Sequence, residues 1–394
     1  MGRAALALGA PVKVALYHNL PSGGALRVLS EYVRARRREH EFELFAPTSA
    51  SDFFGIGGFV PTQWIEVPGG TGLLADYRKL RAVPRFGREA ARRIDAGGFD
   101  AVLATASFLT QAPEVLPYLR TPSLYFCPEP LRGVYEKERE PFTANPKTAA
   151  KRAVRAAYDR RRVRFDRRAV RKATAVAVNS KYTRRNVRKV YGVASDVVRH
   201  GVDTKAFRPG RTAREPFVLS VGALHPLKGH QFVIEALGLL ERSARPRLVV
   251  IGDRGDYGPE LARLAREGGV RLQIRKGVSD AELKKAYREA SVFAAAQVRE
   301  PFGLITLEAM ASGTPVVAVD EAGLAETVRN GKNGLQVPRD ARRFADAIGR
   351  VLGDLKLAKR LAEAGRRDVE RNWRWDAAAE DFDRLLAKVA RKSR

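Results

Sequence analysis

The chain has 394 residues, 45% of them hydrophobic, which is typical of a globular protein with two domains. The formal net charge is +28, from 72 Lys and Arg against 44 Asp and Glu, so binding to polyanions is expected. The single cysteine, Cys127, excludes a disulfide within the chain and a metal site built from several cysteines.

The first residues of the chain are weak evidence for a signal peptide, because one Arg and a short apolar stretch lead directly into a predicted strand. No apolar run approaches the roughly 20 residues that a transmembrane helix needs. A cytoplasmic location is therefore expected, with peripheral attachment to the inner face of the membrane as an extension of it.

Short apolar runs alternate with helical patterns along the chain, which indicates parallel sheets built from βαβ units. There are more strands than one doubly wound sheet usually holds, and their number suits two sheets. The predicted strands are Val12–Tyr17, Phe42–Ala46, Ala101–Ala104, Ser123–Phe126, Ala175–Val178, Phe217–Val221, Leu248–Ile251, Leu272–Ile274, Val292–Ala295 and Val316–Val319. The clearest predicted helices are Ala25–Arg38, Arg152–Arg171, His230–Leu240, Ala281–Ala290 and Leu304–Ser312.

A boundary between two domains is predicted near Pro209, Gly210 and Pro216, which interrupt both periodicities. We place an N-terminal Rossmann-like domain at residues 1–205 and a C-terminal one at 216–374. A last helix within 375–394 is expected to pack back on the first domain. Since ligands bind at the carboxyl ends of strands in open α/β sheets, the cleft between the domains is the expected site.

Positive charge is concentrated in two predicted helices. Residues 147–189 are rich in Lys and Arg and contain only Asp159 and Asp166 as acids, and a shorter basic run covers residues 34–38. These segments are either solvated helix faces or a surface for anionic lipid. We therefore expect an anionic membrane surface as a further partner, bound through residues 151–172 and 34–38, and no specific nucleic acid.

The most informative segment begins at Glu300 and reads E-P-F-G-L-I-T-L-E-A-M-A-S-G-T-P-V-V-A. Its proline and glycine predict a tight loop that leads into a helix near Leu304. The free backbone N–H groups of residues 303–305 would then face an anion, assisted by the helix dipole. Glu308 could accept hydrogen bonds from ribose hydroxyls, while Glu300 lies where sugar hydroxyls could reach it.

This segment resembles the signature of the retaining glycosyltransferases of family 4, whose two glutamates match Glu300 and Glu308. Residues 220–230, S-V-G-A-L-H-P-L-K-G-H, resemble the strand and loop G-R-L-x-x-x-K-G of that family. Residues 177–183 and 199–209 resemble its interdomain stretch, and residues 323–326 and 331–334 resemble the segment after the signature. The resemblance implies a GT-B fold, in which two Rossmann-like domains with parallel sheets face a deep interdomain cleft.

The resemblance also implies which residues act. Glu300 would position the donor sugar and Lys228 would neutralise the donor pyrophosphate, and both are candidate catalytic residues. Glu129 and Arg132 are candidates on the acceptor side. The implied donor-binding residues are Gly23, Gly24, Gly222, His225, Val278, Phe302, Gly303, Leu304, Ile305 and Glu308.

The activity implied is transfer, with retention, of a hexose-type sugar from a UDP- or GDP-linked donor to a glycan or lipid-linked acceptor. Such an activity belongs to the synthesis of cell-surface polysaccharide or glycolipid. No metal or other cofactor is expected, and no clustered Asp-x-Asp that would hold Mg²⁺ against a diphosphate is present. The leaving phosphate would then help to deprotonate the acceptor hydroxyl in a front-side displacement.

The chain departs from the family pattern at two positions. Ala223 stands where the family usually has Arg, and Pro128 stands where many relatives have a His that reaches the donor sugar. A catalytically weak family member, a non-catalytic polyanion-binding protein and a nucleotide-sugar epimerase therefore remain alternatives. The side chains that could replace the missing cation are His225, His230, Arg275 and Arg299.

Overall fold

The computed structural model describes residues 11–136, 149–210 and 214–391, which divide into two compact α/β units. The first unit holds the described residues up to Arg199 together with those from Asp376 onward, and the second holds His200–Trp375. Each unit is built on one parallel sheet, so the predicted α/β class with two parallel sheets is confirmed.

The sheet of the first unit has the order β3-β2-β1-β4-β5-β6-β7 in the described residues. Its central strands are buried along their whole length, as expected for a parallel sheet covered by helices on both faces. The strands are β1 Lys13–Asn19, β2 Glu41–Pro47, β3 Thr62–Ile65, β4 Ala101–Ser107, β5 Ser123–Cys127, β6 Ala175–Val178 and β7 Asp196–Val197. The helices are α1 Gly24–Arg36, α2 Leu73–Ala96, α3 Arg132–Tyr135, α4 Ala149–Lys172 and α5 Lys181–Tyr191.

The sheet of the second unit has the order β10-β9-β8-β11-β12-β13 in the described residues. Its strands are β8 Glu215–Val221, β9 Arg247–Ile251, β10 Leu272–Arg275, β11 Ala290–Ala295, β12 Val316–Val319 and β13 Leu335–Val337. Its helices are α6 His230–Gly238, α7 Gly258–Glu267, α8 Asp280–Glu289, α9 Leu304–Ala311, α10 Leu324–Thr327, α11 Ala341–Gly353 and α12 Leu355–Asn372. The last helix, α13 Trp375–Ala390, packs in the first unit from Asp376 onward.

All ten predicted strands appear, with ends that differ by at most three residues from the structure. The sequence analysis missed β3, β7 and β13, which are two to four residues long and contain polar side chains. It also missed α2, because Pro84 lies inside this helix and proline usually ends a helical pattern.

The helices of the first unit are divided between the two faces of its sheet. Tyr125 and Cys127 of β5 share a hydrophobic cluster with α2, α4 and α5. The residue between them, Phe126, points to the other face and packs on Phe382 of α13, which in turn contacts Tyr32 of α1. The two basic segments that were expected to bind a membrane, on α4 and at the end of α1, therefore lie on opposite faces of the sheet.

Asp383 joins α13 to α1 inside the first unit. Its carboxylate accepts hydrogen bonds from the Tyr32 hydroxyl at 2.9 Å, from Arg36 Nε at 2.5 Å and from His40 Nε2 at 3.3 Å. Burial alone would raise the pKa of Asp383, but the hydrogen bonds from His40 and Arg36 outweigh burial and lower it. Arg36 is itself 7% exposed, so this member of the basic run is used inside the fold.

We predict that Asp383→Asn destabilises the first unit by roughly 3 kcal/mol, because the substitution removes the negative charge from a buried ion pair and leaves Arg36 with only the more exposed Glu39 as an ionic partner. Urea unfolding of the full chain measures this effect. Glu380→Gln, at an exposed position on the same helix, is the matched control and should change the free energy of unfolding by less than about 0.5 kcal/mol. Equal stability of both variants would show that Asp383 does not hold α13.

Candidate active site

Lys228 lies at the end of a short turn that follows β8 in the second unit. The turn covers Pro226–Lys228 and is capped by His225, whose Nδ1 accepts a hydrogen bond from the Leu227 backbone N–H at 3.2 Å. Gly222 leaves room for the lysine, because a Cβ at this position would lie 3.2 Å from Lys228 Cγ. The turn therefore places the ammonium group of Lys228 at the carboxyl end of the sheet.

The ammonium group of Lys228 meets the carboxylate of Glu300. Nζ donates a hydrogen bond to Glu300 Oε2 at 2.9 Å, with the two side chains 33% and 20% exposed. The structure thus brings together the two residues that were predicted to be catalytic, which come from loops 72 positions apart in the chain. A half-buried ion pair at the end of a parallel sheet is both accessible to a ligand and held in a defined geometry.

The loop that carries Glu300 is fixed through its backbone. The preceding residue, Arg299, has a φ of 48°, which is unusual for a residue other than glycine, and the Glu300 carbonyl accepts a hydrogen bond from the Gly323 N–H at 2.8 Å. Gly303, with a φ of 96°, then ends the loop where α9 begins. Backbone strain next to a candidate active-site residue is a common feature of functional loops.

The start of α9 presents backbone N–H groups that lack acceptors inside the helix. Leu304 and Ile305 are partly exposed there, as expected of an anion-binding helix terminus. Phe302 is different, because its ring is 5% exposed and packs edge-on against Trp373 and His200. Its side chain belongs to the hydrophobic core, so any ligand contact at this position is limited to the backbone.

Glu308 lies one turn into α9 and is only 4% exposed. Its Oε2 accepts a hydrogen bond from the hydroxyl of the buried Tyr287 at 2.8 Å, which holds the carboxylate in place. A fixed acceptor at this position suits the predicted contact with ribose hydroxyls, and that contact stays a prediction.

His230 cannot replace the missing cation at Ala223. The side chain is fully buried, and its Nε2 lies 3.3 Å from the carbonyl oxygens of both Gly222 and Ala223, so Nε2 carries the proton and donates it. Nδ1 then accepts from the Ser220 hydroxyl at 2.9 Å. Burial lowers the pKa of His230 to about 4, and the residue is a neutral support for the loop after β8.

The other candidates for that cation differ in their surroundings. Arg275 lies at the end of β10 and donates to Gln273 Oε1 at 3.2 Å. Arg299 immediately precedes Glu300, and its backbone N–H donates to Glu321 Oε2 at 3.5 Å. His225 is exposed beside Lys228. Which of these three side chains contacts a phosphate group stays a prediction.

Arg339 and Glu321 hold the backbone that immediately precedes Glu300. The sequence analysis did not identify them. Arg339 donates to both oxygens of Glu321 at 2.7 and 2.8 Å and to the carbonyls of Ala296 and Gln297 at 3.0 and 2.9 Å. Partial burial alone would raise the pKa of Glu321, but the hydrogen bonds from Arg339 outweigh it and lower that pKa. Only the spacing of charged residues could have indicated this contact, and that signal is weak.

Two side chains, Ser279 and Asp253, fix the backbone of the loop around Val278. Ser279 forms a capping box with Glu282 at the start of α8. Asp253, which follows β9, accepts a hydrogen bond from the Gly277 N–H at 2.6 Å. Asp253 therefore fixes the backbone that precedes Val278, and the sequence analysis missed this role.

Four of the predicted site residues lie in the first unit: Gly23, Gly24, Glu129 and Arg132. Gly23, with a φ of 107°, is the exposed N-cap of α1, and Gly24 is its exposed first residue. Arg132 Nε lies 3.8 Å from Glu129 Oε2 and 3.6 Å from Glu136 Oε2. These residues therefore form an exposed helix entry and a partly buried ionic cluster.

A second polar cluster in the first unit was not predicted. Glu114 is fully buried and accepts hydrogen bonds from Tyr17 at 3.0 Å, Asn19 at 2.8 Å and Ser107 at 2.6 Å. Burial raises the pKa of Glu114. The cluster ties together the carboxyl ends of β1 and β4.

In the part of the chain that the structure describes, no three or more His, Cys, Asp or Glu side chains are grouped so as to hold a metal ion. None of the helices there combines the length and the apolar character needed to cross a bilayer.

Comparison with known proteins assigns the family. Residues 22–206 match the family model described as Glycosyltransferase Family 4, and residues 202–368 match the model described as Glycosyl transferases group 1. The chain belongs to glycosyltransferase family 4. The two matches overlap at residues 202–206 and together span residues 22–368 of this family 4 chain, with parts of both structural units.

Curated relatives match about half of the chain. The GDP-mannose-dependent alpha-(1-6)-phosphatidylinositol monomannoside mannosyltransferase of Mycobacterium tuberculosis (strain CDC 1551 / Oshkosh) is 34% identical over 223 residues, which are 51% of this chain and 58% of the relative. The D-inositol 3-phosphate glycosyltransferase of Nocardia farcinica is 34% identical over 212 residues, 48% of this chain and 47% of the relative. The chain thus spans about half the length of the curated relatives it matches.

Solved structures support the fold. Sucrose-phosphate synthase from Thermosynechococcus elongatus superposes with a TM-score of 0.75 at 23% identity and covers 96% of this chain and 98% of its own. WaaG, a glycosyltransferase involved in lipopolysaccharide biosynthesis, gives a TM-score of 0.70 at 18% identity, covering 95% and 99%. The GT-B class predicted from the sequence is confirmed.

The burial of His230 generates a testable pH dependence. The pKa of His230 is about 4 in the folded chain and 6.5 in the unfolded chain. Neutral His230 therefore contributes fully to the free energy of unfolding above pH 6.5, and this contribution is lost as the pH falls towards 4. The loss amounts to roughly 3 kcal/mol. Urea unfolding of His230→Gln between pH 4 and 7 should show a correspondingly shallower dependence than the parent chain.

His225→Gln is the matched control for this experiment, since His225 lies in the same loop and is exposed. This variant keeps His230, so the loss of stability that His230 causes at low pH should persist in it. If both substitutions leave the dependence unchanged, His230 is not a buried neutral residue.

Proposed function

We propose that the chain is a retaining glycosyltransferase that moves a hexose-type sugar from a UDP- or GDP-linked donor to a glycan or lipid-linked acceptor. The observation that carries the proposal is the ion pair between Lys228 and Glu300 beside the start of α9, within the sequence that resembles the family signature. Relatives in the same family are named for GDP-mannose and for inositol phosphate or phosphatidylinositol substrates, which supports a donor and an acceptor of these classes.

In this proposal the second unit stabilises the leaving group. The bond between the anomeric carbon and the phosphate oxygen breaks, and its electron pair stays with the nucleoside diphosphate. Lys228 and the N–H groups at the start of α9 are placed to stabilise this developing negative charge, the largest single contribution in many enzymes. Arg299, or Arg275 on β10, would supply the second cation that the family pattern has at Ala223.

Glu300 orients the sugar, and Glu308 binds the ribose. The acceptor oxygen attacks the anomeric carbon from the face that the phosphate leaves, and its proton passes to the departing phosphate oxygen. The configuration is therefore retained without a protein nucleophile and without a metal. We place this chemistry at the cytoplasmic side of the membrane, in the synthesis of cell-surface polysaccharide or glycolipid.

Substitution of the ion pair tests the catalytic assignment. Lys228→Ala and Glu300→Gln should each lower turnover by about 100-fold or more, because each removes an interaction that strengthens in the transition state. Release of nucleoside diphosphate from the donor, measured at saturating donor, reports turnover. Lys359→Ala, at an exposed position on α12, is the control. Near-parental turnover of both site variants, with the fold intact by circular dichroism, would refute the assignment.

The choice of nucleotide is tested by calorimetric titration with UDP, GDP, ADP and dTDP. One diphosphate should bind, and Glu308→Ala should weaken its binding about tenfold or more through loss of the ribose hydrogen bonds. Tyr287→Phe keeps the carboxylate and removes only the hydrogen bond that orients it, so it should weaken binding less. If no diphosphate binds, a polyanion-binding role without catalysis replaces the proposed function.

A further inference from the structure

Helix α2 presents a continuous row of arginines to solvent. Its exposed basic residues recur at intervals of three and four positions, which places them on one side of an α-helix. The row extends over about 21 Å at 1.5 Å per residue. The opposite side of α2 is apolar and lies in the core of the first unit. The exposed row consists of Arg78, Arg81, Arg85, Arg88 and Arg92.

Helix α4 continues this charge on the same face of the sheet. Its two acids, Asp159 and Asp166, are buried, with Asp166 accepting hydrogen bonds from the Ala112 N–H at 3.1 Å and the Tyr135 hydroxyl at 3.1 Å. The acids therefore do not neutralise the outer side of the helix. Its exposed basic residues, among those whose side chains are described, are Arg160, Arg161, Arg164, Arg167, Arg168, Arg171 and Lys172.

Helix α5 completes the surface. It packs against α4, which also packs against α2, so the three helices lie side by side on one face of the sheet. Among the side chains described on these three helices, no acidic one is exposed. The exposed basic residues of α5 are Lys181, Arg184, Arg185, Arg188 and Lys189. We call the outer side of α2, α4 and α5 the cationic face.

Many of these charges are available to a partner. Some of them do have partners within the protein: Arg88 lies over the Tyr118 ring, Arg92 pairs with Glu89 and Arg171 donates to the Tyr191 carbonyl. The side chains of others have no hydrogen bond, ion pair or ring contact with any residue that the structure describes. These are Arg78, Arg81, Arg85, Arg160, Arg161, Arg164, Arg168, Lys172, Arg184, Arg185, Arg188 and Lys189. Repulsion among so many uncompensated like charges is relieved when a polyanion covers them.

Two apolar side chains accompany the charge. Leu74 is 66% exposed and precedes Arg78 by one turn, so it extends the arginine row of α2. Phe108 is 38% exposed, and its carbonyl accepts a hydrogen bond from Arg162 of α4 at 3.1 Å. Basic residues that attract anionic headgroups, together with a few apolar side chains that enter the boundary with the acyl chains, are typical of a surface that lies on a membrane.

We propose that the cationic face docks on the surface of an anionic lipid bilayer. Three helices side by side make a broad surface that matches a bilayer better than a DNA groove, which admits one helix. No large aromatic side chain is exposed on the described parts of α2, α4 or α5, so the stacking that single-stranded nucleic acid uses is not provided. The proposal does not depend on the identity of the sugar, and it moves the expected membrane contact from residues 34–38 to α2 and α5.

Co-sedimentation of the full chain with lipid vesicles tests the proposal. Vesicles of phosphatidylcholine with phosphatidylglycerol should bind the chain at low salt, and phosphatidylcholine alone should not. The triple substitution Arg78→Gln, Arg81→Gln and Arg85→Gln should weaken binding at least about tenfold, since each basic residue near anionic lipid contributes about fivefold. Replacement of the same three residues by Lys keeps the charge and should preserve binding within about threefold.

A matched control removes the same charge elsewhere. Arg266, Arg343 and Arg350 are exposed on helices of the second unit, and their joint replacement by Gln should leave vesicle binding unchanged. Equal weakening by the control and the α2 variant would overturn the proposal in favour of a general effect of net charge, as would equal binding to neutral and anionic vesicles. If the chain binds duplex DNA but not vesicles, and the α2 variant loses that binding, the face is a nucleic-acid surface and the proposal is wrong.

Discussion

The close approach of two backbone segments to their neighbours sets the geometry of the second unit. A Cβ at Gly229, which follows Lys228, would overlap the carbonyl oxygen of Ala296 at the end of β11. A Cβ at Gly323 would overlap the backbone of Phe302, in the loop that carries Glu300. Only glycine allows these contacts, and they bring an ammonium and a carboxylate within hydrogen-bonding distance at the end of the sheet. The candidate chemistry therefore depends on backbone packing before it depends on the charged groups themselves.

The positive charge of the chain serves two physical purposes. In the second unit, several arginines act as structural donors to backbone carbonyls that helix ends and loops leave unsatisfied. Arg245 donates to four carbonyls and Arg366 to three, and Arg214 bonds the segments around β11 in the same way. Arg366 also pairs with Glu370, but most hydrogen bonds of these arginines go to carbonyl groups and not to carboxylates, which explains part of the excess of basic residues. In the first unit, exposed basic residues without acidic neighbours are concentrated on α2, α4 and α5, on one side of the sheet.

Much of the fold could be predicted from the sequence, because buried parallel strands are continuous apolar runs that are readable without a structure. The same signal fails for β7, which has two residues, and for α2, where Pro84 hides a helix whose arginine spacing is otherwise clear. In the site, Lys228 and Glu300 were recognised from their motifs. The neutral state of His230 was not predictable, because it follows from complete burial.

In the proposed mechanism Lys228 binds the phosphates of the donor and Glu300 binds its sugar. A double-substitution cycle on nucleoside diphosphate binding tests this division most directly, because the diphosphate lacks the sugar. Calorimetry would compare the parent chain, Lys228→Ala, Glu300→Gln and the double variant. Lys228→Ala should weaken binding about tenfold or more, and Glu300→Gln should leave binding equal or tighter because Lys228 is released from its ion pair. Equal weakening by both single substitutions, or by neither, would contradict this mechanism.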